Sequence, residues 1–499
     1  MKELLHIITK ELSLDFFIRQ LITVIILFSL GYVINYIVTW NKNDERTQLV
    51  RVILSFPVGL SVFTVSGLSM LIFNIDYNSL NIIFGVITLL LILLMTYRPK
   101  WNHFLSKKTV IFLGIGAVLA IIAVSGIISV GFSNDSMYYY SAYPHEIVRY
   151  GRLWHKFDTF LTDVGQGTAV INTLPFLFGF NESFGIHNYF NISFICFFFY
   201  AVYDEASLYY EIKKSLIFAA ISTGFLVTSM PFVIISKLVI ANVYFMETLF
   251  IVLYLNYRFK NDENGLVFIR ALLLLMVSFI RIEGALFAGF AMLTYIMQND
   301  YKKRDVAYET IPVIILQAMY FIRIYLLIDE IYAPYTFMNK GKAIVAVLFN
   351  VAVLIYGFVL PAFSDKLKKY LSPVTVTFTA LILVNALLFI YDHSLFLVNV
   401  KALMSNLLLN SGWGFFAAVI VVVIAIVPKV RISDCYFDYF FIGFLLVSFA
   451  ACFARGDDLR IDLFDSGNRV LLQIVPFVVY AFTFRFIKAS YILCHKEQK

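Results

Sequence analysis

Asp135 is the residue of this sequence whose type and place best fit acid–base chemistry. It stands near the start of a long polar stretch, residues 131–174, that separates two blocks of apolar sequence. A carboxylate at the edge of apolar segments can accept the proton of a hydroxyl group or hold a divalent metal ion. Asn134, Asp135 and Ser136 are also favourable helix-capping residues, so the sequence leaves a purely structural role for Asp135 open.

Four more residues of this stretch are candidate ligands for a sugar or phosphate group: Tyr138, Glu146, Arg149 and Lys156. The apolar positions between residues 136 and 152 follow helical spacing, which places Glu146 and Arg149 on one face. That face either presents the arginine to a phosphate or holds an internal ion pair. Lys156 fits a phosphate contact, and the ring of Tyr138 fits stacking on a sugar or anchoring at a membrane interface.

The polar stretch is followed by a short apolar segment, residues 168–180. A helix of about a dozen residues is too short to cross roughly 30 Å of hydrocarbon. The segment is therefore predicted to be a re-entrant or surface helix.

Arg281 and Glu283 form a second candidate group, in the segment Arg-Ile-Glu-Gly at residues 281–284. This segment lies between two predicted membrane spans with no room for a loop. Charges so close to hydrocarbon are costly, so they are expected to face protein or a wet cavity and to mark a functional site. Mutual neutralisation is the alternative, although residues two apart on a helix do not face each other.

Further charged residues lie in or beside apolar segments. Arg323 is expected at a depth similar to that of Arg281, and Arg469, at the outer end of the last span, is placed to meet an anionic headgroup or pyrophosphate. Glu247 is expected to find a partner on another span. Arg270, near the inner end of its span, is expected to extend toward the headgroups.

The composition is that of a polytopic membrane protein. The chain has 499 residues, of which 61% are hydrophobic and 14% charged, and its mean hydropathy is +0.84. No soluble core could bury so much apolar surface behind so few charges. The apolar runs predict an all-α protein with about 13 to 16 spans, near 17–39, 50–73, 79–97, 109–131, 183–202, 215–230, 232–256, 266–281, 284–298, 308–328, 342–363, 373–391, 413–428, 436–454 and 469–488.

The net charge of +7 is explained by topology and not by nucleic-acid binding. Lysine and arginine fall in short clusters between apolar runs, and eight such clusters lie on the same side of the predicted span order. This predicts a multi-pass protein of a bacterial cell membrane with its amino terminus outside, its carboxyl terminus in the cytoplasm and the 131–174 loop outside. The four cysteines show neither metal-ligand spacing nor a disulfide framework.

Taken in order, these motifs resemble the GT-C superfamily of integral-membrane glycosyltransferases, of the bacterial, mannosyltransferase-like type that uses polyprenyl-phosphate sugars. The resemblance is carried by Asp135 with the tyrosines at 138–140, a Leu-Pro-Phe segment at 174–176, the Met-Pro turn at 230–231, the Arg-Ile-Glu-Gly turn at 281–284 and the segment 468–476 with its Arg and Pro. Asn134 stands where the family has a second acidic residue, and Val470 replaces an aromatic one. No metal ligands are therefore assigned, although a divalent metal stays possible, and no other cofactor is expected.

The resemblance implies a GT-C-like core at residues 109–488 with an external loop at 131–182, extra amino-terminal helices at 1–108 and a cytoplasmic tail at 489–499. Asp135 would then be the general base. Arg281 and Arg469, with Arg149 or Lys156, would bind the phosphate of a lipid-linked sugar donor. The acceptor would be a cell-envelope glycan or a lipid-linked molecule.

Three other functions stay open. A polysaccharide polymerase or ligase also joins lipid-linked sugars, but usually has its large polar loop late in the chain. A transporter or flippase typically shows broken spans in matching halves, with charges near mid-membrane. A non-catalytic subunit of an envelope-polymer assembly is the third alternative.

Overall fold

A computed structural model describes residues 14–39, 45–96, 114, 140, 142–153, 165–177, 185–237, 240–259, 265–298, 300–327, 338–409, 436–455, 469 and 473–496. Every regular element in these ranges is a helix, which confirms the predicted all-α class. Asp135, Tyr138 and Lys156 lie outside the described residues. So do the predicted span 413–428 and, apart from residue 114, the predicted span 109–131.

Three amino-terminal helices lie close to predicted spans: α1 Leu14–Val38, α3 Ser55–Phe73 and α4 Leu80–Thr96. Helix α2, Glu45–Ile53, was not predicted. Asn74 ends α3 in the left-handed conformation, with φ 57°. A short 3-10 turn, Tyr77–Ser79, then leads into α4.

The described residues of the predicted external loop form three short helices: α5 Tyr143–Tyr150, α6 Gln166–Ile171 and α7 Leu174–Leu177. The segment predicted as one re-entrant or surface helix over 168–180 is therefore divided, in its described part, between α6 and α7. All residues of α6 are buried, so this helix belongs to the core and not to the surface.

The middle of the chain forms seven helices: α8 Gly185–Ala206, α9 Ile212–Thr228, α10 Met230–Lys237, α11 Ala241–Arg258, α12 Gly265–Ile280, α13 Gly284–Ile296 and α14 Lys303–Ile322. A π-helical turn, Arg323–Leu327, continues α14. The single span predicted over 232–256 corresponds to two helices, α10 and α11.

The last part of the chain contains six described helices: α15 Lys340–Val359, α16 Asp365–Tyr370, α17 Pro373–Tyr391, α18 His393–Leu409, α19 Tyr436–Arg455 and α20 Val475–Lys496. Helix α18 was not predicted. Asp392 caps it, since its carboxylate accepts from the Leu395 N–H at 3.0 Å.

Within the described residues, five helical segments are long and apolar enough to cross a membrane. They are Ser55–Phe73, Lys303–Leu326, Lys340–Ala362, Pro373–Tyr391 and Val475–Cys494. Shorter apolar helices accompany them, among them α12 and α13. The count of 13 to 16 spans and the orientation of the termini stay predictions.

Helix α12 lies at the centre of the fold, where it packs against α3, α11, α13 and α14. One continuous cluster of buried apolar side chains extends from α1 to α20. Helices α1 to α4 therefore share their core with the rest of the protein. The predicted domain boundary near residue 108 lies outside the described residues.

Candidate functional site

Arg281 and Glu283 lie in the tight turn between α12 and α13. The Gly284 N–H donates to the Arg281 carbonyl at 2.9 Å, and a Cβ on Gly284 would overlap the Val277 carbonyl oxygen. The turn brings the Arg281 Nε within 2.5 Å of Glu283 Oε1. The expectation that these side chains would not meet was wrong, because residues 281–283 form a turn and not a helix.

Asn242 joins this ion pair to the last part of the chain. It lies at the start of α11 and is 3% exposed. Its Oδ1 accepts from Arg281 Nη1 at 2.6 Å, and its Nδ2 donates to the Arg469 carbonyl at 2.9 Å. Arg281 and the Arg469 backbone, predicted to share one side of the membrane, therefore lie at the same site.

Helix α6 of the predicted external loop packs directly on the carboxyl end of α12. A Cβ on Gly165 would overlap the Ile280 carbonyl oxygen, and one on Gly167 would lie 2.9 Å from the Phe279 carbonyl carbon. Thr168 Oγ1 donates to the Ile280 carbonyl at 2.9 Å. The two glycines thus allow a backbone contact, and the threonine satisfies a carbonyl that the end of a helix leaves without a partner.

Two side-chain hydrogen bonds tie α6 to the segment before it. The Tyr143 hydroxyl donates to Gln166 Oε1 at 2.8 Å, and Asn172 Nδ2 donates to the Tyr140 carbonyl at 3.0 Å. Burial raises the pKa of the Tyr143 hydroxyl far above its usual range, so Tyr143 stays neutral and acts as a donor. These bonds hold α6 to the segment around residues 140–143, beside the Arg281 turn.

Glu146 and Arg149 lie on an exposed face of α5. Arg149 Nη1 is 3.6 Å from Glu146 Oε1, and the arginine side chain is 63% exposed. His145 Nδ1 lies 3.7 Å from the same carboxylate. This geometry matches the internal ion pair and not contact with Arg281, whose side-chain partners among the described residues are Glu283 and Asn242.

Arg323 is placed near the same end of the bundle but has a different partner. Its Nη2 donates to Asn74 Oδ1 at 2.9 Å, which connects α14 to the turn after α3. The same turn meets the external loop, since the Tyr77 N–H donates to the Gly151 carbonyl at 2.9 Å. The predicted external turns thus gather at one end of the helices.

A second group of charges is fully buried toward the opposite end of α12. Arg270 Nη2 lies 2.7 Å from Asp305 Oδ2, and its Nε lies 2.9 Å from Glu309 Oε1, with all three side chains 0% exposed. The expectation that Arg270 extends toward the headgroups was wrong, because α14 supplies two carboxylates beside it. Sequence alone does not show that pairing, which crosses between helices.

Glu247 lies in the middle of α11 and is also 0% exposed. Neither of its carboxylate oxygens has a hydrogen-bond partner among the described residues. The partner expected on another span is thus not found there.

The described residues contain no group of three or more His, Cys, Asp or Glu side chains placed to hold a metal ion. Arg281, Glu283, Asn242 and the Arg469 backbone therefore define the candidate site, with α6 packed beside it. Comparison of the chain with protein-family models, curated proteins and solved structures gave no match.

Proposed function

We propose that this protein is a membrane glycosyltransferase that transfers a sugar from a polyprenyl-phosphate donor to a cell-envelope acceptor on the outer face of the membrane. The observation that carries the proposal is the position of Arg281. Its guanidinium is fixed by Glu283 and Asn242, and its side chain is 18% exposed. Asn242 also donates to the backbone carbonyl of a second arginine, Arg469.

The depth of Arg281 favours a substrate that arrives through the bilayer. Helix α12 has 16 residues and α13 has 13, so they are about 24 Å and about 20 Å long. Both are shorter than a hydrocarbon core of about 30 Å, so the turn that joins them lies below the membrane surface if the other ends reach the opposite surface. Helix α6 packs on this turn, and in this proposal the lipid-linked phosphate approaches the turn from the bilayer.

The hydrogen-bond donors of Arg281 favour an anionic group. An arginine guanidinium carries more N–H donors than the two contacts of Arg281 use, and donors of this kind bind phosphate in a fixed geometry. In this proposal Glu283 and Asn242 orient Arg281, and the arginines stabilise the charge that develops on the departing phosphate.

Asp135 supplies the base in this reaction. Its carboxylate takes the proton of the acceptor hydroxyl as the oxygen forms a bond to the anomeric carbon. The bond between that carbon and the phosphate oxygen breaks, and polyprenyl phosphate leaves with the electron pair. Neutralisation of the phosphate charge makes this a good leaving group, so the reaction requires one base and a cluster of arginines.

The test is donor turnover by purified protein in detergent micelles. Polyprenyl-phosphate hexoses are supplied with a cell-envelope extract as acceptor, and release of free polyprenyl phosphate is measured. Arg281→Ala is expected to lower turnover about 100-fold, and Asp135→Asn to abolish it. The control is Arg152→Ala, an exposed charge of the same loop. Failure of the folded wild-type protein to release polyprenyl phosphate from any donor would exclude this function.

A transporter or flippase of lipid-linked sugars is the second candidate, and the buried charges favour it. Arg270, Asp305, Glu309 and Glu247 are all inaccessible to solvent, and ionisable groups inside a membrane protein often mark a transport pathway. Micelles separate the two functions, because they have no two compartments between which a substrate could move. Movement of intact donor across proteoliposomes, with no turnover in micelles, would establish the transporter.

A further inference from the structure

A groove on the surface between α12 and α14 has no role in the proposed reaction. Its volume is about 510 Å³, within the usual range of ligand sites. Ala271 and Leu275 line it from α12, and Arg304, Tyr308 and Pro312 line it from α14. The last three are spaced by four residues, so they follow one another along a single face of the helix.

The groove wall is apolar and exposed. Phe268, which also lines the groove, is 54% exposed, and Tyr308 is 59% exposed. Exposed aromatic side chains beside an apolar groove are typical of a binding surface. Helix α14 belongs to a segment long and apolar enough to cross a membrane, and α12 is a shorter apolar helix. The molecule that meets such a surface is a lipid chain. From Arg304 to Pro312 the groove extends along about 12 Å of helix.

One end of the groove is positively charged. The Arg304 side chain is 46% exposed, and its Nε lies 3.6 Å from Asp305 Oδ1. The other oxygen of Asp305 is already held by Arg270 at 2.7 Å and by the Tyr295 hydroxyl at 3.0 Å. Arg304 is thus only loosely held by Asp305 and can turn to an anion at the groove end.

We propose that this groove binds one anionic glycerophospholipid, with its phosphate on Arg304 and an acyl chain along Tyr308, Ala271 and Pro312. Arg304 follows Lys302 and Lys303 at the start of α14. The three residues form a basic cluster of the kind that faces the cytoplasmic leaflet. The groove lies toward the end of α12 opposite Arg281. It is therefore a second lipid site, independent of the proposed donor site.

The test is native mass spectrometry of the full-length protein in a nonionic detergent, titrated with phosphatidylglycerol or with phosphatidylcholine of identical acyl chains. The wild type is expected to retain one phosphatidylglycerol in preference to phosphatidylcholine. Arg304→Ala is expected to weaken phosphatidylglycerol binding about fivefold, and Arg304→Lys to retain most of the preference.

Lys303→Ala is the matched control, because it removes a neighbouring charge that does not line the groove. Equal losses in Lys303→Ala and Arg304→Ala would indicate a general basic surface and overturn the proposal. So would equal retention of the two lipids by the wild type.

Two variants test the acyl-chain part of the groove. Ala271→Leu narrows it and is expected to abolish retention of the lipid, with folding checked by thermal unfolding. Because Ala271 is nearly buried, Tyr308→Ala is measured as well. This variant removes an exposed side chain of the groove wall and is expected to weaken phosphatidylglycerol binding severalfold. Unchanged phosphatidylglycerol binding in Tyr308→Ala would place the lipid elsewhere.

Discussion

Removal of the positive charge of Arg270 should destabilise the fold strongly. Arg270→Met keeps an unbranched side chain but removes the charge between Asp305 and Glu309, which lie 2.7 Å and 2.9 Å from it. Loss of one partner from a buried ion pair costs about 3–5 kcal/mol. In this variant two buried carboxylates would remain without a counterion between them, so we expect a cost at the upper end, about 5 kcal/mol.

The two carboxylates should differ in their effects. Asp305 accepts from Arg270 at 2.7 Å and from the Tyr295 hydroxyl at 3.0 Å, so Asp305→Asn should cost about 2–3 kcal/mol. Glu309→Gln removes one acid and leaves the Arg270–Asp305 pair intact, and Arg304 lies 3.6 Å from the other oxygen of Asp305. The free energy of unfolding of Glu309→Gln should therefore stay within about 1 kcal/mol of the wild type.

These values are measurable as free energies of unfolding in mixed micelles, followed by the helical circular dichroism signal. Glu146→Gln is the control, because that carboxylate lies in an exposed ion pair that contributes little. Equal costs for Glu309→Gln and Asp305→Asn would refute the unequal roles of the two acids. A cost below about 1 kcal/mol for Arg270→Met would show that the cluster does not stabilise the protein in the membrane environment.

Three further outcomes are expected. Asn242→Ala removes a charge-assisted and a neutral hydrogen bond, so it should lower the free energy of unfolding by about 2–4 kcal/mol and also lower donor turnover. Asn385→Ala, the control for the effect of unfolding, should leave turnover unchanged. Equal turnover in the two variants would disprove the bridging role. Gly165→Ala should displace the predicted external loop, because its Cβ would overlap the carbonyl at the end of α12. Gly85→Ala is the control, since its Cβ meets nothing within 4 Å. Limited proteolysis compares the two variants, and equal cleavage would contradict this contact. Hydrogen bonds from the Leu395 N–H and the Ser394 hydroxyl lower the pKa of Asp392. The contribution of Asp392 to stability is therefore present above a pH of about 4 and lost as the pH falls below it. Amide protection in α18 should follow this pH dependence, and Asp392→Asn should abolish it.

The positions of most helices follow from apolar run length. The predicted spans 266–281 and 284–298 differ by no more than two residues from α12 and α13, because an apolar run and a Gly-containing turn are local features. Helix α18 was missed for the same local reason. Its sequence contains His393, Lys401 and two asparagines, which interrupt the apolar run.

The partners of the charged residues could not be predicted in the same way. Arg270 meets carboxylates 35 and 39 positions later in the chain, and Asn242 bridges to a residue 227 positions away. The type and neighbourhood of Asn242 do not distinguish it from other asparagines in apolar helices. Only the packing of α11 beside the α12–α13 turn gives it a role.

The end of α12 determines both the position of Arg281 and that of the predicted external loop. The helix stops at Ile280 because the next residues turn sharply and Gly284 lies too close to the Val277 carbonyl for any side chain. A helix that stops leaves carbonyls without partners, and Thr168 donates to one of them. If α12 continued for another turn, Arg281 would move away from Asn242 and the Ile280 carbonyl would be satisfied within the helix. The loop would then lose this contact with α12 in the same step, so the position of Arg281 and the packing of α6 depend on the same helix end.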